Sequence, residues 1–390
     1  MKIKLLFIMV ILPVLLISVS LSDYTFPKTF YQEAYLSGNF NLASGNQDQT
    51  SYNGAFQGDY DINYSSLPLS WRLGVDANLD LMQGSNEDDD SETAYNVTAF
   101  SNADKYFNNT DVFGYGSLNF GYRKTLGADD ADDPYTKIGV GAGYGRVINA
   151  TVLAKAMRVV EDLNKYNVLS GQLSDDLYLE LAQVIDKENE FESKYGPVEY
   201  QKYWFEAMEK ILMKSGKLKD DALGALGLIR IQEVFGEKYG VRKHGWTVRG
   251  GLGFVLSNYD GSESDPSLDA SFEYALPYSY RMQLNEKLDY STILSDDIVH
   301  QITNNLSLTY ELSNRIDWEN SLVSSFTIPT EENLENIINN TLTSSFYYYL
   351  ANQLTLNTKV SFNKYDDGVD DNGNDDIETS INMGITYRIR

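Results

Sequence analysis

Binding ions, moving protons or attacking electrophiles takes particular side chains, and in this sequence they are densest between Asp366 and Asp376. Asp366, Asp367, Asp370, Asp371, Asn372, Asn374, Asp375 and Asp376 surround Gly368 and Gly373. Hard oxygen donors beside turn-forming glycines suit calcium, so Asp366, Asp367, Asp370, Asp371 and Asp375 are candidate ligands. The spacing is not that of an EF-hand, and a solvated, self-repelling outer loop accounts for the same run. Other reactive groups are scarce. With Cys at 0, disulfide frameworks, thiolate zinc sites, cysteine nucleophiles and a lipid-anchored lipoprotein are all excluded. His244 and His300 are the only histidines, and Ser295 near His300 carries little weight in a serine-rich chain. No phosphate loop, metal-ligand spacing or carboxylate pair stands out, so neither an enzyme nor a resident cofactor is expected. The formal net charge of -25 repels phosphate backbones and speaks against nucleic-acid partners.

The remaining chemistry sits on alternate residues. From Ala55 to Tyr64, the positions Phe56, Gly58, Tyr60, Ile62 and Tyr64 interleave with Ala55, Gln57, Asp59, Asp61 and Asn63. Trp71, Leu73, Val75, Ala77, Leu79 and Leu81 likewise interleave with Arg72, Gly74, Asp76, Asn78 and Asp80. The pattern returns around Leu306–Leu312 and closes the chain from Ile377 to Ile389. Alternation over roughly ten residues, repeated with turns between, marks transmembrane β-strands. Strands of soluble sandwiches are usually about five or six residues long. Composition agrees, with Tyr 29, Gly 29 and Pro only 8. Aromatic, glycine-rich and proline-poor chains favour sheet with an interfacial belt.

The N-terminus supplies a destination. Lys2 and Lys4 precede an apolar run from Leu5 to Ile17, and Ser20 and Ser22 occupy the -3 and -1 positions of a cleavage site before Asp23. Residues 1–22 therefore read as a secretory signal peptide. The run is short for a membrane span, which needs roughly 20 apolar residues. No later stretch approaches transmembrane-helix hydropathy, so a membrane-embedded mature chain must be a closed barrel.

Connection lengths give the topology. About fourteen strands are predicted, six within 23–147 and eight within 244–390. Long acidic connections such as GSNEDDDSET (84–93) and GADDADDP (127–134) alternate with short ones such as Asn108–Asp111 and Asn314–Ile316. Long extracellular loops and short periplasmic turns follow this order when both termini are periplasmic. The expected fold class is mainly β: an antiparallel transmembrane barrel with an α-helical subdomain inserted at 148–243.

The signal segment, amphipathic strands, acidic long loops and amphipathic last strand resemble porin-like outer-membrane β-barrel proteins of Gram-negative bacteria. The resemblance covers nearly everything outside 148–243 and implies outer-membrane lipids, lipopolysaccharide and the barrel assembly machinery as partners. Divalent cations would bridge the acidic loops to lipopolysaccharide. Such barrels typically end on an aromatic residue, whereas this chain ends Tyr387-Arg388-Ile389-Arg390.

Within 148–243 the period changes to three and four. Val152, Ala156, Val159, Val160 and Leu163 mark one helix behind Asn149 as cap; others begin near Ser174, Pro197 and Asp220. The segment is nearly balanced in charge and is placed on the periplasmic side, where a periplasmic partner is a further expectation. Gly139, Gly141, Gly143, Gly145, Gly251 and Gly253 give the flanking strands a smooth inner wall. Either part of the insert plugs the lumen there, or the glycines relieve sheet curvature. Arg72, Asp76, Asp80, Arg123, Arg249, Glu273, Arg281, Lys287, Asp289, Glu311 and Lys359 fall on inward positions and are the candidate lumen lining. A charge-lined bore of this width points to a channel for small polar solutes, gated or plugged by the insert. If those charges pair across the lumen instead, a structural or adhesive barrel is the alternative.

Overall fold

The computed structural model describes residues 19–25, 28–107, 110–237, 239–262, 266–294, 298–331, 334–351, 354–369 and 376–387. Fourteen strands form one closed antiparallel barrel in which each strand pairs with its sequence neighbours and the first meets the last. They are β1 (Thr29–Ala43), β2 (Ser51–Ser65), β3 (Leu69–Gln83), β4 (Ser91–Tyr106), β5 (Val112–Lys124), β6 (Tyr135–Asn149), β7 (Lys243–Ser257), β8 (Ser267–Ser279), β9 (Met282–Ile293), β10 (Val299–Ser313), β11 (Ile316–Pro329), β12 (Ile337–Ala351), β13 (Leu354–Asp366) and β14 (Glu378–Tyr387). The expected strand number and the alternation of long loops with short turns are both present. At the closure β1 and β14 pair at Leu36↔Tyr387 among the described residues, and β1 and β2 run in register from Thr29↔Ser65 to Ala43↔Ser51.

Alternation makes two unlike faces. Phe40, Val140, Leu252, Leu342, Phe362 and Met383 point outward and are exposed, Met383 at 75%. Apolar residues predominate on this outward face, which matches hydrocarbon, although Glu286, Asn304, Asn320 and Asn340 also fall on it. Trp71, Tyr144, Trp246, Tyr278, Trp318 and Tyr348 lie outward close to the short-turn ends of their strands. Tyr144 and Trp246 have ring centroids 5.7 Å apart. Such a ring of amphipathic aromatics sits where acyl chains meet headgroups. Among the described residues no helix is long and apolar enough to cross a membrane; the barrel strands present the surface that fits one.

The inserted helices are α1 (Thr151–Lys165), α2 (Asp175–Asp186), α3 (Glu188–Lys214) and α4 (Gly224–Gly236). β6 runs to Asn149 and β7 resumes at Lys243, so each strand extends slightly beyond the expected 148–243 boundaries. Asn149 stands just before the cap residue Ala150, and its Oδ1 accepts from the Thr151 amide at 2.9 Å. α3 bends at Gly196 (φ 81), directly before Pro197, whose ring cannot continue a helix begun upstream. The helices bury Leu153, Val160, Leu163, Leu181, Met208, Leu212 and Ile231 against one another. Trp204 stacks on Phe235 at 4.8 Å and donates to the Val184 carbonyl at 2.7 Å.

This small core has an unexpected member. Val19, Leu21 and Tyr24 are buried in it, around a 3-10 turn capped by Ser20. The Tyr24 carbonyl lies 2.9 Å from His244 Nε2 at the foot of β7. Two residues of the presumed signal segment thus belong to the folded insert; residues 1–18 lie outside the described region.

Candidate functional site: the lumen and its capped mouth

The inward faces of β2 to β10 enclose a polar cavity of about 620 Å³. Its charges come from alternate strand positions, so the pleat that turns apolar residues outward presents these to the interior. Arg249 pairs with Asp104 at 2.8 Å, Lys137 with Asp269 at 2.9 Å, Lys287 with Asp289 at 2.8 Å and Lys243 with Glu273 at 3.8 Å. Glu273 also lies within the fields of Arg72 and Arg249. Arg72 stands 5.2 Å over the Phe100 ring.

The candidate lining separates by depth. Arg72, Arg249, Glu273, Lys287 and Asp289 converge on the cavity. Asp76 faces Asp59 across β2 and β3, and Asp80 stands nearer the long loops. Arg123 is at that rim, 2.5 Å from Asp132 and stacked 4.0 Å over Tyr259. Lys359 is exposed on β13, away from the cavity lining. Arg281 and Glu311 belong instead to the opposite mouth. Arg281 occupies the β8–β9 turn, where it grips Glu161 of α1 at 2.8 Å. Glu311 is buried at the end of β10.

That mouth is where the insert docks. Arg158 of α1 is 2% exposed; it pairs with Glu311 at 2.9 Å, donates to Asn314 Oδ1 at 2.8 Å and lies 3.4 Å from Glu237. Arg242, as deeply buried, also pairs with Glu311 and donates to the Tyr280 carbonyl at 2.9 Å. Burial outweighs Arg158 in raising the Glu237 pKa above the usual carboxylate range, and burial likewise lowers that of Arg242. One carboxylate between two guanidiniums, with the Asn314 amide and the Tyr280 carbonyl taking further donors, makes much of this buried charge tolerable. Arg158 Nε is left without a hydrogen-bond partner among the described residues.

The glycine wall has a different occupant from the insert. A Cβ on Gly141 would strike the Gly250 carbonyl and the Tyr115 ring, and one on Gly143 the Phe113 ring. These glycines let β6 and β7 approach closely, and side chains of β5 fill the space above them. The insert lies across the short-turn mouth, not along this wall.

Alternation applied to every strand would have found Asp104, Lys137 and Asp269, which stand at inward positions of β4, β6 and β8. Arg158 left a subtler trace as a charge between Met157 and Val159 on an apolar helix face. Of the candidate calcium ligands, Asp370, Asp371 and Asp375 lie outside the described residues; Asp366 and Asp367 accept from the amides of Gly368 and Val369 at 3.0 and 3.1 Å. No metal-holding cluster occurs among the described residues. His300 lies 3.0 Å from the Tyr290 hydroxyl, and Ser295 is outside the described set.

A closed barrel with an apolar exterior, an aromatic belt and a charged interior defines a transmembrane β-barrel of the outer-membrane class. No model of a known protein family matches the chain, and no curated protein matches it. Among solved structures it is similar to a loop-deletion mutant of OmpT, an outer membrane protein of Vibrio cholerae, at 7% identity and a TM-score of 0.32, covering 93% of this chain and 99% of that one. A BenF-like porin from Pseudomonas fluorescens follows at 8%, 0.33, 92% and 97%. The CymD monoaromatic hydrocarbon channel gives 10%, 0.30, 94% and 89%.

Proposed function

We propose that this chain is an outer-membrane channel for small polar solutes, exported by a signal peptide cleaved upstream of the buried Val19 and carrying a periplasmic helical cap that gates it. The observation behind this reading is the charged cavity of about 620 Å³ inside a barrel whose outer surface is apolar. Acidic residues dominate the β1–β3 side of the interior, with Glu33, Asp59, Asp61, Asp76 and Asp80 all on inward positions. Rings of carboxylates favour cations. The long loops, acidic again, would face outward and meet lipopolysaccharide through divalent cations, and the barrel assembly machinery would insert the strands.

Heat-modifiable gel mobility with outer-membrane fractionation tests the location, and planar bilayers test the function. The expected record shows discrete conductance with a reversal potential displaced toward the cation. A soluble, heat-insensitive product would overturn the membrane reading, and silence in bilayers the channel reading. The buried Arg158–Glu311–Arg242 cluster favours a second reading, a structural barrel kept permanently shut. A variant with α1 to α4 replaced by a short turn separates the two. A gated channel conducts more without its cap, whereas a closed lumen stays silent.

A further inference from the structure

At the edge of the cavity two opposite charges stand near one another without meeting: Arg72 lines it, and Asp61 lies just beyond its lining. Arg72 on β3 is the cross-strand partner of Asn63, and Asp61, two residues along β2, is the partner of Gly74. Diagonal neighbours of this kind have backbones about 7–8 Å apart, within reach of an arginine. Yet Arg72 forms no ion pair among the described residues, while the other four cations of the cavity each have a carboxylate within 3.8 Å. Asp61, exposed to the lumen, likewise has no hydrogen-bond or ion-pair partner among the described residues.

Phe100 lies beside both positions. Its backbone pairs with Gly74, and because glycine has no side chain the ring folds down over that position, where a Cβ would collide with it. The Arg72 guanidinium rests on the ring face at 5.2 Å. The interior therefore presents, in order, a cation, an apolar plate and an anion. A stacked guanidinium keeps its in-plane N–H donors free for a carboxylate, and the bare carboxylate of Asp61 accepts an ammonium group.

We infer that this strip of the lumen is a binding site for zwitterionic solutes of the amino-acid type, carboxylate on Arg72, hydrocarbon against Phe100 and ammonium on Asp61. The inference rests on the channel reading for the route by which solute arrives. It also fits the acidic β1–β3 wall, which admits an ammonium group and resists a bare anion.

Calorimetry on the full chain in detergent tests this with isosteric probes: 4-aminobutyrate, pentanoate and pentylammonium. 4-Aminobutyrate is expected to bind at least tenfold more tightly than either singly charged probe. Arg72→Gln should abolish its advantage over pentylammonium while Arg72→Lys retains part of it, and Asp61→Asn should abolish its advantage over pentanoate. Affinities within twofold of one another for all three probes, no binding, or variants that discriminate like the native chain would overturn the inference. A barrel that conducts but does not discriminate overturns this site and leaves the channel standing. One that discriminates but never conducts does the reverse.

Discussion

Two guanidiniums, those of Arg158 and Arg281, pair α1 with the barrel, and replacing Arg158 with methionine removes the buried one while keeping much of its length and apolar stem. Breaking a buried ion pair from one side costs about 3–5 kcal/mol, because the abandoned charge stays buried. Here Glu311 keeps Arg242 as a partner, which places the cost near the lower end. Glu237 loses its only ion-pair partner among the described residues. A loss of about 3 kcal/mol moves the docked-to-undocked equilibrium by about two orders of magnitude. Glu237, already raised by burial, would take up a proton more readily in the variant and recover part of the loss at low pH.

Two measurements read this. Amide exchange along α1 should accelerate by about a hundredfold relative to the barrel strands, and single-channel records should show a larger open fraction. Glu311→Gln provides the control from the other side, and combining both changes should cost less than the sum of the two. If Arg158→Met leaves α1 protection and open fraction unchanged, the buried cluster is not what holds the cap and the gating argument fails.

Other outcomes follow from the same structure. Trp204→Ala, at a site 3% exposed within the insert core, should cost about 3–5 kcal/mol of insert stability, measured by α3 amide exchange, while heat-modifiable mobility stays native. Gly143→Val should impair barrel folding, seen as loss of the compact gel species, because its Cβ would enter the Phe113 ring and approach the Val248 carbonyl at 2.6 Å. Burial lifts the Asp186 carboxyl from 3.8 to about 6, with Lys28 opposing. The folded insert thus binds that proton more tightly than the unfolded chain does. Insert stability should rise as pH falls from 7 to 4, by about 1–2 kcal/mol since the group is only half-buried, and Asp186→Asn should flatten the profile.

Much of the barrel was legible because a strand with one face in lipid and one in water must alternate, and a one-residue slip would expose every charge to hydrocarbon. Trp71–Leu81 and Arg72–Asp80 therefore revealed both strand and orientation. Helix spacing in α1 was equally plain, and so was a helix start at Pro197, which falls just after the bend of α3 at Gly196. Depth was not. Arg281 and Glu311 alternate as cleanly as Arg249 and Glu273, yet they lie beyond the cavity, at an end covered by α1. Period two identifies a face and says nothing of position along the barrel axis or of what a distant segment sets upon it.

Pairing was hidden for a related reason. Arg158 meets Glu311 across 153 residues of sequence, and only the fold back from β6 through four helices to β7 brings α1 over β10. Arg72 and Asp61, by contrast, are close in sequence and diagonal in register, and Phe100 on the next strand drops its ring into the gap left by Gly74, opposite Asp61. A glycine facing an aromatic across strands moves a ring into a gap, and here that ring carries the Arg72 guanidinium on its face. Filling the gap tests the geometry directly. Gly74→Ala should displace the ring, allow Arg72 to close on Asp61 and cancel zwitterion preference with both charges still present.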